Sequence, residues 1–184
     1  FTNTLGPDPV ATITHTTGFW TLYLLLITLA IPPVRRLSGR LAWLIRFRRM
    51  FGLYAFFYGT LHLFTYVWLF SGFNVPTMLH DIAKRRFIMV GMLGWTCLFL
   101  LAITSTKWSI RKLGGKRWAM LHRLIYVAAI AGVIHYWWLV KAGVLTPWKD
   151  TAVLAVLLLA RVMYLVVKRS RRKPVRAEAM ATRV

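Results

Sequence analysis

The chain has 184 residues, 58% of them apolar, and sets 25 Lys and Arg against four Asp and Glu for a net charge of +21. A soluble domain carries roughly a quarter charged residues of mixed sign, so this composition points to lipid as the main solvent. The charge would suit nucleic acid, but the basic residues lie in clusters between long apolar runs, which is the pattern of cytoplasmic loops against anionic headgroups.

The chain opens at Phe1 with a loop-like stretch to Asp8 and shows no signal peptide. A helix crossing the hydrocarbon core needs roughly 20 apolar residues, and five segments qualify. The first runs from about Thr16 to Val34 and is expected to end at Pro32-Pro33, since proline lacks the amide a helix needs. The others run from about Met50 to Gly72, Phe87 to Thr104, Trp118 to Val140 and Asp150 to Val167. Backbone groups cannot stay unsatisfied in lipid, so runs this long are helices. The short alternating segments of an outer-membrane barrel are absent from the sequence. The expected fold is all-α, a polytopic transmembrane helical bundle over residues 1–168. A basic cytoplasmic tail, residues 169–184, is expected to be disordered.

No internal repeat stands out, and no GxGxxG lies between a strand and a helix, so a fused nucleotide-binding module is not expected. The single cysteine, Cys97, falls inside an apolar run and reads as a packing residue rather than a redox or metal group.

The loops set the orientation. Arg35, Arg36, Arg40, Arg46, Arg48 and Arg49 follow the first span. Lys107, Arg111, Lys112, Lys116 and Arg117 follow the third, and the tail after Val167 is basic again. The opposite loops hold Asp8, Asp81 and Asp150. The positive-inside bias places the arginine-rich side in the cytoplasm, with Lys84, Arg85 and Arg86 as a minority against it.

Five histidines are present. His15 and His80 lie in or beside the outer loops and read as exposed or interfacial polar residues, whereas His62, His122 and His135 fall within spans, where an ionisable side chain is costly and marks function. His62 belongs to the second span and His135 to the fourth, which run in the same direction. They lie about 13 and about 17 residues from the cytoplasmic ends, a difference of roughly one turn. One histidine from each helix can therefore hold a single haem iron from opposite faces, in the apolar surroundings the ring needs.

His122 lies about 20 Å nearer the cytoplasm than His135 and has no obvious partner. Counting back from His62 reaches Arg48, with Arg49 adjacent, and arginines there suit a haem propionate or a flavin phosphate. The interval from His122 to His135 does not keep one ideal helix face, and Gly132 is expected to take up the distortion. Zinc competes for three histidines, but closed zinc sites take four ligands at one depth.

Tyr136-Trp137-Trp138 reads as the outer aromatic belt, with packing against a cofactor as the alternative.

With these residues in view, the chain resembles the ferric-reductase-like transmembrane superfamily. Within it, the chain is most similar to the haem-binding membrane subunits of the bacterial periplasmic methionine sulfoxide reductase system. The resemblance rests on Leu5-Gly-Pro-Asp-Pro-Val10, His15-Thr-Thr-Gly18, Arg48-Arg49-Met-Phe-Gly-Leu53 and Thr60-Leu-His-Leu63. It continues through Ala102-Ile-Thr-Ser-Thr106, Leu121-His122 with Tyr126, and Ile134-His-Tyr136.

The resemblance implies six spans, hence a sixth N-terminal one beyond the five seen. It also implies b haem, FMN, and a periplasmic molybdopterin-containing reductase as partner, with electrons from the quinol pool or a flavin reductase. The haem role carries to His62, His122 and His135. Arg48-Arg49 stand where the wider superfamily often has a fourth histidine.

Two other functions compete. One is a self-contained ferric or oxygen reductase with its nucleotide domain on a separate chain. The other is a non-redox bundle such as a transporter or scaffold, which would purify without colour. The short outer loops offer no substrate domain, which favours an electron-transfer subunit for a partner enzyme.

Overall fold

The computed structural model describes residues 7–140 and 147–181, with side chains as far as Ser170. The start of the Leu5–Val10 motif, the opening residues to Gly6 and the side chains of the basic tail lie outside the described residues. Every regular element among those described is helical.

α1 (Pro9–Leu37) starts on an Asp8 cap, whose Oδ1 accepts from the Ala11 amide at 3.0 Å, with proline at the first helical position. It does not stop at Pro32-Pro33 as the sequence suggested; both prolines lie inside it. Their φ already suits a helix. The lost amides fall near the span's end, where fewer intrahelical bonds are forfeited, and proline is tolerated in membrane helices more readily than in soluble ones.

A 3₁₀ segment (Gly39–Arg46) leads into α2 (Arg48–Thr65), which ends in a π-helical turn over Tyr66–Phe70. The short helix α3 (Val75–Lys84) follows, capped by Asn74, and was not foreseen in the sequence. Its Asp81 pairs with Arg85 at 3.1 Å and accepts from the Tyr66 hydroxyl at 3.1 Å. Part of the basic triplet Lys84, Arg85 and Arg86 is thereby compensated. Then come α4 (Arg86–Ile103), α5 (Lys107–Leu113), α6 (Gly115–Leu121), α7 (Leu124–Leu139) and α8 (Trp148–Ala181). Five helical stretches are long and apolar enough to cross a membrane, with α6 and α7 forming one of them. The protein is a multi-pass membrane protein.

α1, α2, α4 and α7 form a closed ring in which α1 meets α2, α2 meets α4, α4 meets α7 and α7 meets α1; α8 lies against α1 and α7. Lipid tails are as apolar as leucine, so the helices associate through close packing rather than solvent exclusion. The contact residues are correspondingly small. Ala55 and Ala129 are fully buried, Gly59 faces Thr21, and Gly94 faces Ala128 and Ala131. Leu25 and Cys97 fill the remaining core, so Cys97 is the packing residue expected. Bonds between helices, such as Trp95 Nε1 to Thr60 Oγ1 at 3.2 Å, are worth about 0.6 kcal/mol each in a membrane. They fix register more than they supply stability.

The ring is built from two alike hairpins, α1–α2 and α4–α7, although no repeat was evident from the sequence. Within these helices the two copies, offset by 73 residues, are identical at five pairs: Gly18 and Gly91, Leu25 and Leu98, Ala55 and Ala128, Gly59 and Gly132, His62 and His135. None of these ten residues is exposed. So few identities disappear among apolar residues, but they occupy the helix contacts.

Candidate functional site

The two hairpins bring their histidines together. The ring centres of His62 (α2) and His135 (α7) lie 5.9 Å apart, with planes at 88°. The depth count from sequence foresaw this meeting. Each Nδ1 lies against a main-chain carbonyl of its own hairpin: His62 at 2.9 Å from Thr14 O in α1, His135 at 2.6 Å from Phe87 O in α4. A carbonyl only accepts, so Nδ1 carries the proton in both rings and donates. Nε2 is left with its lone pair. Among the described residues neither Nε2 has a hydrogen-bond partner.

These residues fit an axially held haem iron. With metal–imidazole bonds of about 2 Å, two imidazoles on one iron have centres roughly 6 Å apart. Metal-bound histidine also characteristically donates its other ring N–H to a carbonyl or carboxylate. No cluster of three or more His, Cys, Asp or Glu that could hold a metal ion occurs among the described residues.

His122 lies apart, at the break between α6 and α7. The distortion expected at Gly132 is here instead, at His122 and Arg123, where the chain tightens through bonds from the Arg123 amide to Met120 O and from the Tyr126 amide to Arg123 O. Gly132 sits inside a continuous α7, packed near Leu22. The break is fastened by Thr104, whose Oγ1 is 3.2 Å from His122 Nε2 and whose carbonyl accepts from Trp118 Nε1 at 2.9 Å. Trp118 also packs on the imidazole, with ring centres 3.9 Å apart.

Of the two arginines expected near this level, Arg48 is half-buried and Arg49 exposed. The charge of Arg48 acts on His122, and Arg48 in turn has Tyr126 and Arg161 of α8 as electrostatic neighbours. A small cavity between α1, α7 and α8 is lined by Arg36, Arg161 and Tyr126 with apolar Leu29, Leu157 and Leu158. Arg36 stacks on Tyr164 at 3.5 Å. Sequence reasoning passed over Arg161, although an arginine in the middle of an apolar run is the signal that finds such a residue. His15 and His80 are both exposed, as expected, and so are Trp137 and Trp138 of the aromatic cluster.

A helical ring with paired intramembrane histidines on codirectional helices defines the chain's class. Residues 17–133 match the family described as ferric reductase like transmembrane component, and the chain belongs to it. Its relatives are more particular. It is 51% identical to the protein-methionine-sulfoxide reductase heme-binding subunit MsrQ of Herminiimonas arsenicoxydans, over 92% of this chain and 78% of that one. It is 52% identical to MsrQ of Xanthomonas campestris pv. campestris, over 84% and 70% of the two chains. For MsrQ of Azospira oryzae the identity is 48%, over 89% and 70%. Within the ferric-reductase-like proteins, the chain is a member of the MsrQ family.

Proposed function

We propose that this protein is the haem b-bearing membrane subunit of a methionine sulfoxide reductase system. It passes electrons from a cytoplasmic-side donor, the quinol pool or a flavin reductase, to a periplasmic molybdopterin-containing reductase that repairs oxidised proteins. The observation that carries this reading is the His62–His135 pair, with Nδ1–H engaged and Nε2 open on both rings. Haem held there supplies a one-electron carrier in the outer half of the bilayer. The chain's own residues hold the two imidazoles in one tautomer and keep water out. The sulfoxide chemistry belongs to the partner. The test is a reduced-minus-oxidised spectrum of detergent-purified protein with a pyridine haemochrome assay and flavin extraction. A b-type spectrum is expected; a folded, haem-supplied preparation without a Soret band sinks the assignment.

The inner site, with His122, Arg48 and Arg49, is the proposed entry point for electrons. An anionic group, a haem propionate or the phosphate of FMN, suits Arg48, which has Tyr126 and Arg161 beside it. The Arg48→Ala, Arg49→Ala double variant is expected to lose flavin or to be reduced more slowly. Unchanged flavin content and rate would leave these arginines as lipid anchors.

The arginine-rich loops and the tail face the cytoplasm in this reading. Reporter fusions after Arg172 are expected to show cytoplasmic activity, and fusions within residues 74–81 periplasmic activity. The reverse pattern overturns the direction of electron flow.

A further inference from the structure

Each candidate ligand is gripped by the other helix of its hairpin in the same way. Thr14 and Gly18 lie four residues apart in α1, and Phe87 and Gly91 lie four apart in α4. A helix carbonyl already accepts the amide four residues on, and its second lone pair points outward. Side chains on a helix lean back over the preceding turn, so the residue four positions on covers that carbonyl. At Gly18 and Gly91 there is no such cover, and an imidazole occupies the space. A Cβ on Gly18 would lie 3.1 Å from both Nδ1 and Cε1 of His62. On Gly91 it would lie 2.8 Å from Nδ1 and 3.0 Å from Cε1 of His135. Carbon and nitrogen do not approach that closely without a bond, so the His135 ring would have to move.

Close helix packing does not account for these two glycines. Gly59 and Gly132, the other repeat-paired glycines, face Thr21, Leu98 and Leu22 side chains at 3.3 to 3.5 Å. Gly18 and Gly91 meet only imidazole among their nearest neighbours.

We propose that Gly18 and Gly91 are positioning residues that open the Thr14 and Phe87 carbonyls to His62 and His135, setting the tautomer and the tilt of both iron ligands. This rests on the reading of His62 and His135 as the axial pair. A donated Nδ1–H raises the basicity of a metal-bound imidazole, and a more basic ligand favours ferric over ferrous iron. Loosening that bond therefore raises the midpoint potential. The two clamps differ in strength. His135 sits closer to its carbonyl and to its glycine, so Gly91→Ala acts more strongly than Gly18→Ala.

The test uses the haem-loaded protein in detergent, with midpoint potential and low-temperature EPR of the ferric low-spin signal as readouts. Gly91→Ala is expected to shift the g-values and raise the potential, or to lose the low-spin signal altogether. Gly18→Ala shifts both in the same direction by less. Gly52→Ala, whose Cβ meets only Thr28 Cγ2 at 3.9 Å, keeps wild-type values. Wild-type potential and g-values in both Gly18→Ala and Gly91→Ala overturn the inference, as does an equal shift in Gly52→Ala. If Gly91→Ala does not accumulate, Gly18→Ala decides alone. Failure of the underlying reading looks different: the low-spin signal is absent from the unaltered protein, or survives in His62→Ala and His135→Ala.

Discussion

Replacing His62 or His135 with Ala removes one and the same b-type spectral component. Both rings hold Nδ1 against a carbonyl and lie with centres 5.9 Å apart, so on the proposed pairing loss of either would leave a haem iron with one imidazole. Even groups that only hydrogen-bond a metal ligand carry effects of about 10- to 100-fold on affinity, so a ligand deletion is expected to lower retention of that component by at least as much. The measurement is a reduced-minus-oxidised spectrum per mole of folded protein, with helicity checked by circular dichroism. If His62→Ala and His122→Ala abolish a shared signal while His135→Ala keeps it, the pairing is wrong.

Replacing His122 with Ala leaves that outer component in place and slows its reduction from the cytoplasmic side. His122 is fastened to Thr104 and Trp118 and feels the charge of Arg48, and it has no contact with the His62–His135 pair among those described. With a quinol or flavin-reductase donor, a slowing of roughly tenfold or more is expected, equivalent to about 1.4 kcal/mol of barrier. Dithionite, which needs no inner site, should still reduce the variant at the normal rate. His122→Gln separates two roles, because a glutamine can keep a hydrogen bond to Thr104 but supplies no imidazole. Wild-type rates in both variants, or in His122→Gln alone, would reduce His122 to a fastening for the break between α6 and α7.

Much of the fold was legible because lipid imposes a length rule. Each apolar run of span length became helical, although α1 begins earlier, at Pro9, the fourth run is split into α6 and α7, and α8 runs on to Ala181 through most of the tail expected to be disordered. The histidine pair was legible for a related reason: constant rise per residue turns sequence position into depth. What was missed depends on geometry that residue type does not encode. Pro32 and Pro33 read as a stop, yet a proline's effect depends on which amides the neighbours can spare. The distortion near His122 was assigned to Gly132 because glycine permits bending, whereas hydrogen bonds from Thr104 and Trp118 placed it elsewhere. Arg48 and Arg49 looked equivalent because adjacent residues carry the same sequence signal, although a helix turns them to different sides. The carbonyl clamps were invisible for a deeper reason, since every residue has a carbonyl and only the glycine four positions later betrays one in use. Aligning the chain on itself by its histidines would have exposed both clamps.

The two alike hairpins match at the histidine pair, where His62 answers His135, and part company at the level of His122, whose counterpart is Arg49. Two interchangeable halves meeting at one centre have no built-in sense of forward and back. Here the histidine pair keeps the equivalence and the level of His122 does not, and α8 adds Arg161 near Arg48 at that level. A rectifying junction is made in this way, from like material on one side and unlike material on the other. The polarity of this bundle lies in where its two halves stop being copies.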